Sequence, residues 1–484
     1  ELHITIEGRK DLAGQLYRQL ADAIKSGRLA DGQQLPPSRL LAEQLGVSRK
    51  TVSEAYSRLT LDKLLEGRIG AGSYVRAPSA QCTKREATTA LAAAETIRKW
   101  DALSTPLREP PESRSRYDFV GGRSTPGHFP KEEWRRCVLH ALREEEAMRG
   151  RYRGTAGLPS LREAIARHIA FSRGVRCTAA DIVVTSGAQQ ALDLLARVLL
   201  EPGSVVAMED PCYPVARQLL ASHGARIASV PVDDEGLVVD QIPADARLIY
   251  VTPAHQFPLG MPMSVPRRQA LLERAAQIGA IIIEDDYDSE FRYEGRPTDS
   301  LQSMDTQGLV AFVGTFSKVL LPELRLGYVV LPPALQNAVL NAKHLQDWHT
   351  NTLNQHALAK FIEDGYLQKH IRRCHDLFNS RRARMLQLFG QELSEWFRVV
   401  PATAGFHMSA MAVAEVDIDL LIRLAHRAEV GLHPLSIFYH DLPPQPGLFL
   451  GYGAIDTMDI ETALLRVRDI LRQLGGTAGL GASI

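Results

Sequence analysis

The chain predicts an α/β protein of at least two folded parts, and three observations carry the prediction. The first 78 residues read as short helical patterns followed by glycine-rich strand pieces. From about 79 to 116 the apolar periodicity fades. After Tyr117, apolar runs of strand length alternate with segments of helix length, the pattern of a mostly parallel sheet covered on both faces. A length of 484 residues exceeds one ordinary domain, and a composition 45% apolar and 23% charged is that of a globular chain able to bury a sizeable core. No apolar run approaches the roughly 18 to 20 residues that span a bilayer, and the N-terminus lacks the basic-then-apolar pattern of a secretory signal, so the cytoplasm is the expected compartment. Cys82, Cys137, Cys177, Cys212 and Cys374 are odd in number and scattered, with no C-x-x-C pair; they read as reduced, mostly structural thiols, and no metal site is expected. Formal net charge is zero, so composition argues neither for nor against a nucleic-acid partner.

Taken in order, Leu12, Leu16, Leu20 and Ile24 recur at four-residue spacing on one face of a first helix that Gly27 is placed to stop. Ser38 precedes a second, short run through Leu41 and Leu45 that ends at Gly46. Ser48 is a good N-cap for a third helix with Val52, Tyr56 and Leu59 on its inner side. Only Leu45-Gly46-Val47-Ser48 separates the second from the third, a turn of the length and glycine content of a helix-turn-helix. Leu64-Leu65-Glu66 and Ser73-Tyr74-Val75, around Gly67, Gly70 and Gly72, suggest a hairpin wing. Residues 79–116, ending in Glu109-Pro110-Pro111-Glu112, read as a linker with a helical stretch near Ala90 to Trp100. Residues 117–484 form the second domain, with strands expected at Ile182–Thr185, Val205–Met208, Leu248–Val251, Ile281–Glu284 and Val310–Val313.

The strongest chemical signal is Gly314-Thr315-Phe316-Ser317-Lys318, followed by Leu324-Arg325. A lysine just after a buried strand, with hydroxyls one and three residues before it and an arginine seven after, suits a phosphorylated aldehyde. The amine forms a Schiff base while Thr315, Ser317 and Arg325 hold the phosphate. The strand ending Glu284-Asp285-Asp286-Tyr287 offers the buried carboxylate that a pyridinium needs: Asp285 is the candidate, with Tyr287 donating to the ring's phenolic oxygen and Asp286 or Asp288 free to be a solvated strand end. At Thr185-Ser186-Gly187-Ala188-Gln189 a strand turns into a helix, where the amides of Gly187, Ala188 and Gln189 make a phosphate cradle. Tyr213, after another strand end, is placed either to stack on the pyridine face or to fill the core.

These strand ends, in this order, resemble a fold-type I aminotransferase dependent on pyridoxal phosphate, over about 117–475, with a smaller C-terminal α+β part. By that resemblance Lys318 is the internal aldimine lysine. The opening block, Leu35-Pro36-Pro37-Ser38-Arg39-Leu40-Leu41-Ala42 through Ala55-Tyr56-Ser57-Arg58-Leu59, is similar to the GntR winged helix-turn-helix. That similarity places Ser48, Arg49, Lys50 and Thr51 at the start of the major-groove helix, and Arg39 and Arg68 against phosphates or the minor groove. Residues 1–78 hold twelve Lys and Arg against nine Asp and Glu, a net of plus three. The two modules together resemble the MocR family. The resemblance implies a transcriptional regulator that binds pyridoxal phosphate, answers to an amino compound or to the cofactor itself, and pairs as a head-to-tail homodimer on a double-stranded operator with two half-sites.

Against catalytic aminotransferases the chain departs at two places. Phe257 stands where an asparagine usually bonds the cofactor's phenolic oxygen, and Leu448-Phe449-Leu450-Gly451-Tyr452 lacks the arginine that in many such enzymes clamps the substrate carboxylate. Arg217 and Arg123 are the candidate replacements. These departures favour binding over turnover; the alternative is a working pyridoxal-phosphate-dependent aminotransferase with a fused DNA-binding module.

Overall fold

The structure, a computed structural model, describes residues 4–6, 8, 10–68, 72–76, 94–103, 115–122, 126–147, 150–294 and 299–478. The chain divides into two compact units, Glu1–Ala102 and Leu103–Ile484.

In the first unit, helices α1 (Leu12–Lys25), α2 (Ser38–Leu45) and α3 (Arg49–Leu61) precede an antiparallel hairpin of β1 (Leu65–Arg68) and β2 (Gly72–Val75). Leu16, Leu20 and Ile24 of α1, Leu41 of α2, and Val52, Ala55 and Leu59 of α3 share one core with Leu65 and Val75. Gly46 ends α2 at φ 64°, a left-handed conformation that a side chain disfavours. Ser48 caps α3 as expected: its hydroxyl oxygen accepts the Thr51 N–H at 3.1 Å. Two boundaries differ from expectation. Ser38 is itself the first helical residue of α2, behind Pro37, and gives no side-chain cap. The wing strand β1 runs through Gly67 to Arg68, because pairing with β2 continues to Arg68–Gly72. A helix, Ala94–Asp101, lies in the span read as linker; Cys82 and Glu109 to Glu112 lie outside the described residues.

The second unit opens with β3 (Tyr117–Asp118). Its main sheet is built from β4 (Ile182–Thr185), β5 (Val205–Asp210), β6 (Arg226–Asp233), β7 (Gly236–Leu237), β8 (Ala246–Val251), β9 (Ile281–Asp286), β10 (Val310–Thr315) and β11 (Gly327–Val330). Their order is β4-β11-β10-β9-β8-β5-β6-β7. The neighbours from β10 to β6 pair in parallel, while β11 runs antiparallel to both β10 and β4, and β7 antiparallel to β6. Strands β4, β5, β9 and β10 are buried along nearly their whole length, which is why they read as continuous apolar runs and not as alternating ones. Strands β5 and β9 continue two residues past their expected ends, and the carboxylates there, Glu209, Asp210, Glu284, Asp285 and Asp286, are buried.

A smaller C-terminal part holds β12 (Phe397–Val399), β13 (His407–Ala412), β14 (Val430–Gly431), β15 (His433–Pro434) and β16 (Gly447–Gly451). Four of these form an antiparallel sheet in the order β12-β13-β16-β15, and β14 pairs in parallel with β3. Helices Tyr366–Leu388 and Thr457–Ala478 cover it through Phe378, Leu388, Leu464 and Val467. The four described cysteines are free, three of them buried. No described helix is long and apolar enough to cross a membrane.

Candidate functional site

The parallel strands β5, β8, β9 and β10 present their C-terminal ends along one edge, the place where open α/β sheets bind ligands. A cavity of about 260 Å³ opens there. Lys318, three residues beyond β10, lines it and donates from Nζ to the Gly122 carbonyl oxygen at 3.0 Å. Burial pushes the Lys318 ammonium below its ordinary range, opposed by the carboxylates of Asp288 and Asp285, which favours the neutral, nucleophilic amine.

Asp285, at the end of β9, is buried on the same cavity. Its Oδ2 accepts from the Tyr250 hydroxyl at 2.7 Å, while its Oδ1 is buried with no hydrogen-bond partner. Burial raises the carboxyl to about 6, and the Tyr250 hydrogen bond holds it down from going higher. An orphaned carboxylate oxygen on a residue that lines a cavity is expensive unless a group with an N–H binds there. A pyridinium does so, and the donor set fits pyridoxal phosphate: an amine to carry it, a carboxylate for its ring nitrogen and a phosphate cradle.

Three segments would supply such a cradle. Gly187, at φ 87°, begins the helix Ala188–Leu199, whose first residues Ala188 and Gln189 line the cavity. Arg325, itself left-handed at φ 48°, donates from Nη2 to the Ser186 carbonyl oxygen at 3.1 Å and lies so close to Gly187 that a Cβ there would stand 3.0 Å from Nη2. Thr315 and Ser317 line the cavity, and the Thr315 hydroxyl oxygen accepts the Ser317 N–H at 3.2 Å.

Other expected residues arrive with differences. Tyr213 lines the cavity with its ring set edge-on to Phe257, centroids 5.6 Å apart. The Tyr287 hydroxyl reaches the cavity but gives its proton to the His255 carbonyl oxygen at 2.9 Å, so donating to a phenolic oxygen requires it to leave that partner. Asp286 and Asp288 are not solvated strand ends: Asp286 pairs with Arg173 at 2.6 Å, and Asp288 accepts from His255 Nδ1 at 2.8 Å, all buried or nearly so. Arg217 is engaged elsewhere, at 2.7 Å from Asp441, and Arg123 lies outside the described residues.

Sequence reasoning missed Tyr250 and the buried cluster His255–Asp288–His407, whose ligating atoms lie within 4.8 Å of one another. Burial, then the neighbouring His255, holds His407 well below the ordinary histidine range and therefore neutral. Local spacing assigns these residues no role.

In the first unit, Arg39, Ser48, Arg49 and Lys50 are exposed and Thr51 is half-buried. Arg49 Nε donates to the Ser38 hydroxyl at 3.4 Å, joining the starts of α2 and α3. Arg68 lies on β1, and its side chain is outside the described residues.

The two units define a DNA-reading module joined to an aminotransferase-type fold. Residues 12–75 match the family of bacterial regulatory proteins, gntR family, and residues 126–449 match aminotransferase class I and II. A probable rhizopine catabolism regulatory protein MocR from Rhizobium meliloti is 35% identical over 96% of this chain and 95% of its own length. Among solved structures, kynurenine aminotransferase from Pyrococcus horikoshii, in complex with PMP, shares 28% identity at a TM-score of 0.69, covering 79% of this chain and 95% of that one. The α-aminoadipate aminotransferase LysN from Thermus thermophilus, complexed with N-(5'-phosphopyridoxyl)-L-leucine, shares 28% identity at 0.67, covering 74% and 93%. The chain belongs to the MocR-type regulators, in which a gntR-family reader is fused to an aminotransferase class I and II domain.

Proposed function

We propose that the chain is a DNA-binding transcriptional regulator that carries pyridoxal phosphate on Lys318 and changes its affinity for an operator when an amino compound, or the cofactor itself, occupies the cavity. The observation that carries this is the unpartnered Asp285 Oδ1, buried on the cavity that Lys318 lines and that also holds Arg325 and the helix start at Ala188. When bound, the cofactor supplies an aldehyde carbon that exchanges one amine for another. The protein's part is to hold it: Lys318 covalently, Asp285 at the ring nitrogen, Tyr213 and Tyr287 beside the ring, and Thr315, Ser317, Arg325 and the amides of Gly187, Ala188 and Gln189 at the phosphate. The exposed start of α3, with Arg39 and Arg68, meets DNA, and a head-to-tail homodimer sets two such helices on two half-sites.

Titrating the purified chain with pyridoxal phosphate while recording visible absorbance and operator binding together tests the reading. Lysine-bound absorbance that Lys318→Ala abolishes, with a shift in operator affinity that the same substitution removes, is the expected result. Full occupancy of Lys318 with operator affinity and DNA bending unchanged would defeat the sensory role. Sustained turnover of an amino acid with a keto acid would favour the enzyme reading instead.

A further inference from the structure

We propose that the space beside Lys318 selects a primary amine with an apolar, preferably aromatic, substituent and no carboxylate: an arylalkylamine and not an α-amino acid. The inference rests on the reading of Lys318 as the cofactor lysine. It begins from where Phe449 sits. Its ring covers Gly121 so closely that a Cβ there would lie 2.1 Å from Cε1, and Gly121 precedes Gly122, whose carbonyl oxygen takes the Lys318 hydrogen bond. The wall next to the amine is therefore an aromatic face. Phe438 lies 4.9 Å from Phe449 and Phe257 lies 5.6 Å from it, with 5.2 Å between Phe257 and Phe438, so three rings close on one another in tilted and edge-on contacts. Val120 and Ile437 extend the apolar lining.

Charge points the same way. Among the described residues lining the cavity, Arg325 is the only guanidinium, and it is bound to the Ser186 carbonyl oxygen on the phosphate side. Lys318 is committed to the aldehyde. His433 stands 3.5 Å from the Asp118 carboxylate, and burial keeps His407 neutral. Asp285 is committed to the ring nitrogen, and these commitments leave the cavity no cation for a ligand carboxylate among its described lining residues. A ligand carboxylate entering here would shed its water against three rings, whereas an apolar substituent gains by the same burial. Phe257 and Phe449 thus act as a selectivity filter, as well as packing in one apolar cluster with Leu259, Met261, Leu435 and Phe438.

Three probes separate the possibilities: 2-phenylethylamine, L-phenylalanine, which differs from it by the carboxylate alone, and ethanolamine, which lacks the ring. Each is titrated into the full-length, cofactor-loaded protein, with visible absorbance and operator binding as readouts. We expect 2-phenylethylamine to half-saturate at a concentration at least about tenfold below the other two. Phe449→Arg should move the preference towards L-phenylalanine, and Phe449→Leu should keep the amine preferred. L-Phenylalanine binding as tightly as the amine overturns the proposal, as does ethanolamine matching it, and the wild-type comparison decides even if Phe449→Arg does not fold. Wild-type protein that shows no lysine-bound absorbance at all instead overturns the cofactor reading beneath it.

Discussion

Asp285 has two oxygens with different fates, and the difference predicts a pH dependence. Its Oδ2 is held by Tyr250, its Oδ1 by nothing, and burial raises the carboxyl to about 6. A pyridinium beside it favours the ionised form. Above pH 7 the free protein already carries that form; below 6 it carries a proton that must leave on binding. Cofactor affinity is therefore full above about pH 7 and falls as pH drops through 6, by up to about tenfold per unit. Tyr250→Phe removes a hydrogen bond to the ionised carboxylate, so the fall should begin at higher pH. Because the cofactor's phosphate titrates identically in both proteins, the difference between the two affinity–pH curves isolates Asp285. Superimposable curves would show that Tyr250 merely packs. At this scale the sequence was readable where several chemical groups fall in one short segment after a strand: Lys318, Asp285 and Arg325 all reach the cavity. It was silent on Tyr250 and His255, which stand 35 and 33 residues from the carboxylates they meet, because local spacing carries no information about strand neighbours in a parallel sheet. Asp288, open to a solvated reading, is buried beside His255, a partner that only the fold brings near.

At the scale of elements, the turn from β4 into the helix Ala188–Leu199 and the start of α3 are the two segments to which cofactor and DNA binding are assigned under the proposed function. Gly187 is needed at the first for both conformation and space: φ is 87°, and an added Cβ would press on Arg325. Gly203 offers a control, since it has φ 89° but open space around it. Both Gly→Ala changes should cost about 1–3 kcal/mol of backbone strain. Gly187→Ala alone should also weaken pyridoxal phosphate binding, by about tenfold or more, through displacement of a charged hydrogen-bonding group. Equal affinity losses in the two variants, read from the same titration, would remove Arg325 from the cradle. At α3, Ser48→Ala leaves the Thr51 N–H without its acceptor and should cost about 1 kcal/mol in the unfolding of the first unit. Ser48→Asp restores a cap but sets a negative charge at the expected phosphate-facing surface, so operator affinity should fall while the thermal midpoint recovers. Element identity was legible because helix period and continuous apolar runs differ. Ends were not: β5 and β9 outran their expected limits because Glu209 and Asp286 look like solvent-facing residues until the fold gives them Thr252 and Arg173.

For the whole molecule, the proposed regulation would be a coupling between a site in one unit and a surface in the other, and coupling has a sign and a size. If occupancy of the Lys318 cavity changes operator affinity by some factor, operator binding must change cofactor or effector affinity by the same factor, since both paths around the cycle join the same states. A ligand that binds the DNA-competent and incompetent arrangements equally shifts nothing, however tightly it binds. The expected coupling is of the usual allosteric size, about 5- to 150-fold. The measurement is a pair of titrations at one salt concentration, pyridoxal phosphate into protein with and without saturating operator, and operator into protein with and without pyridoxal phosphate. Salt must be fixed because phosphate contacts by Arg39, Arg49 and Lys50 would make operator affinity steeply salt-dependent. Matching factors that both collapse to one in Lys318→Ala place the coupling at the cofactor lysine. Factors that match but survive Lys318→Ala would place it in non-covalent occupancy of the cradle at Gly187 and Arg325, and a factor of one in the wild type would leave the second unit with no regulatory role through this site.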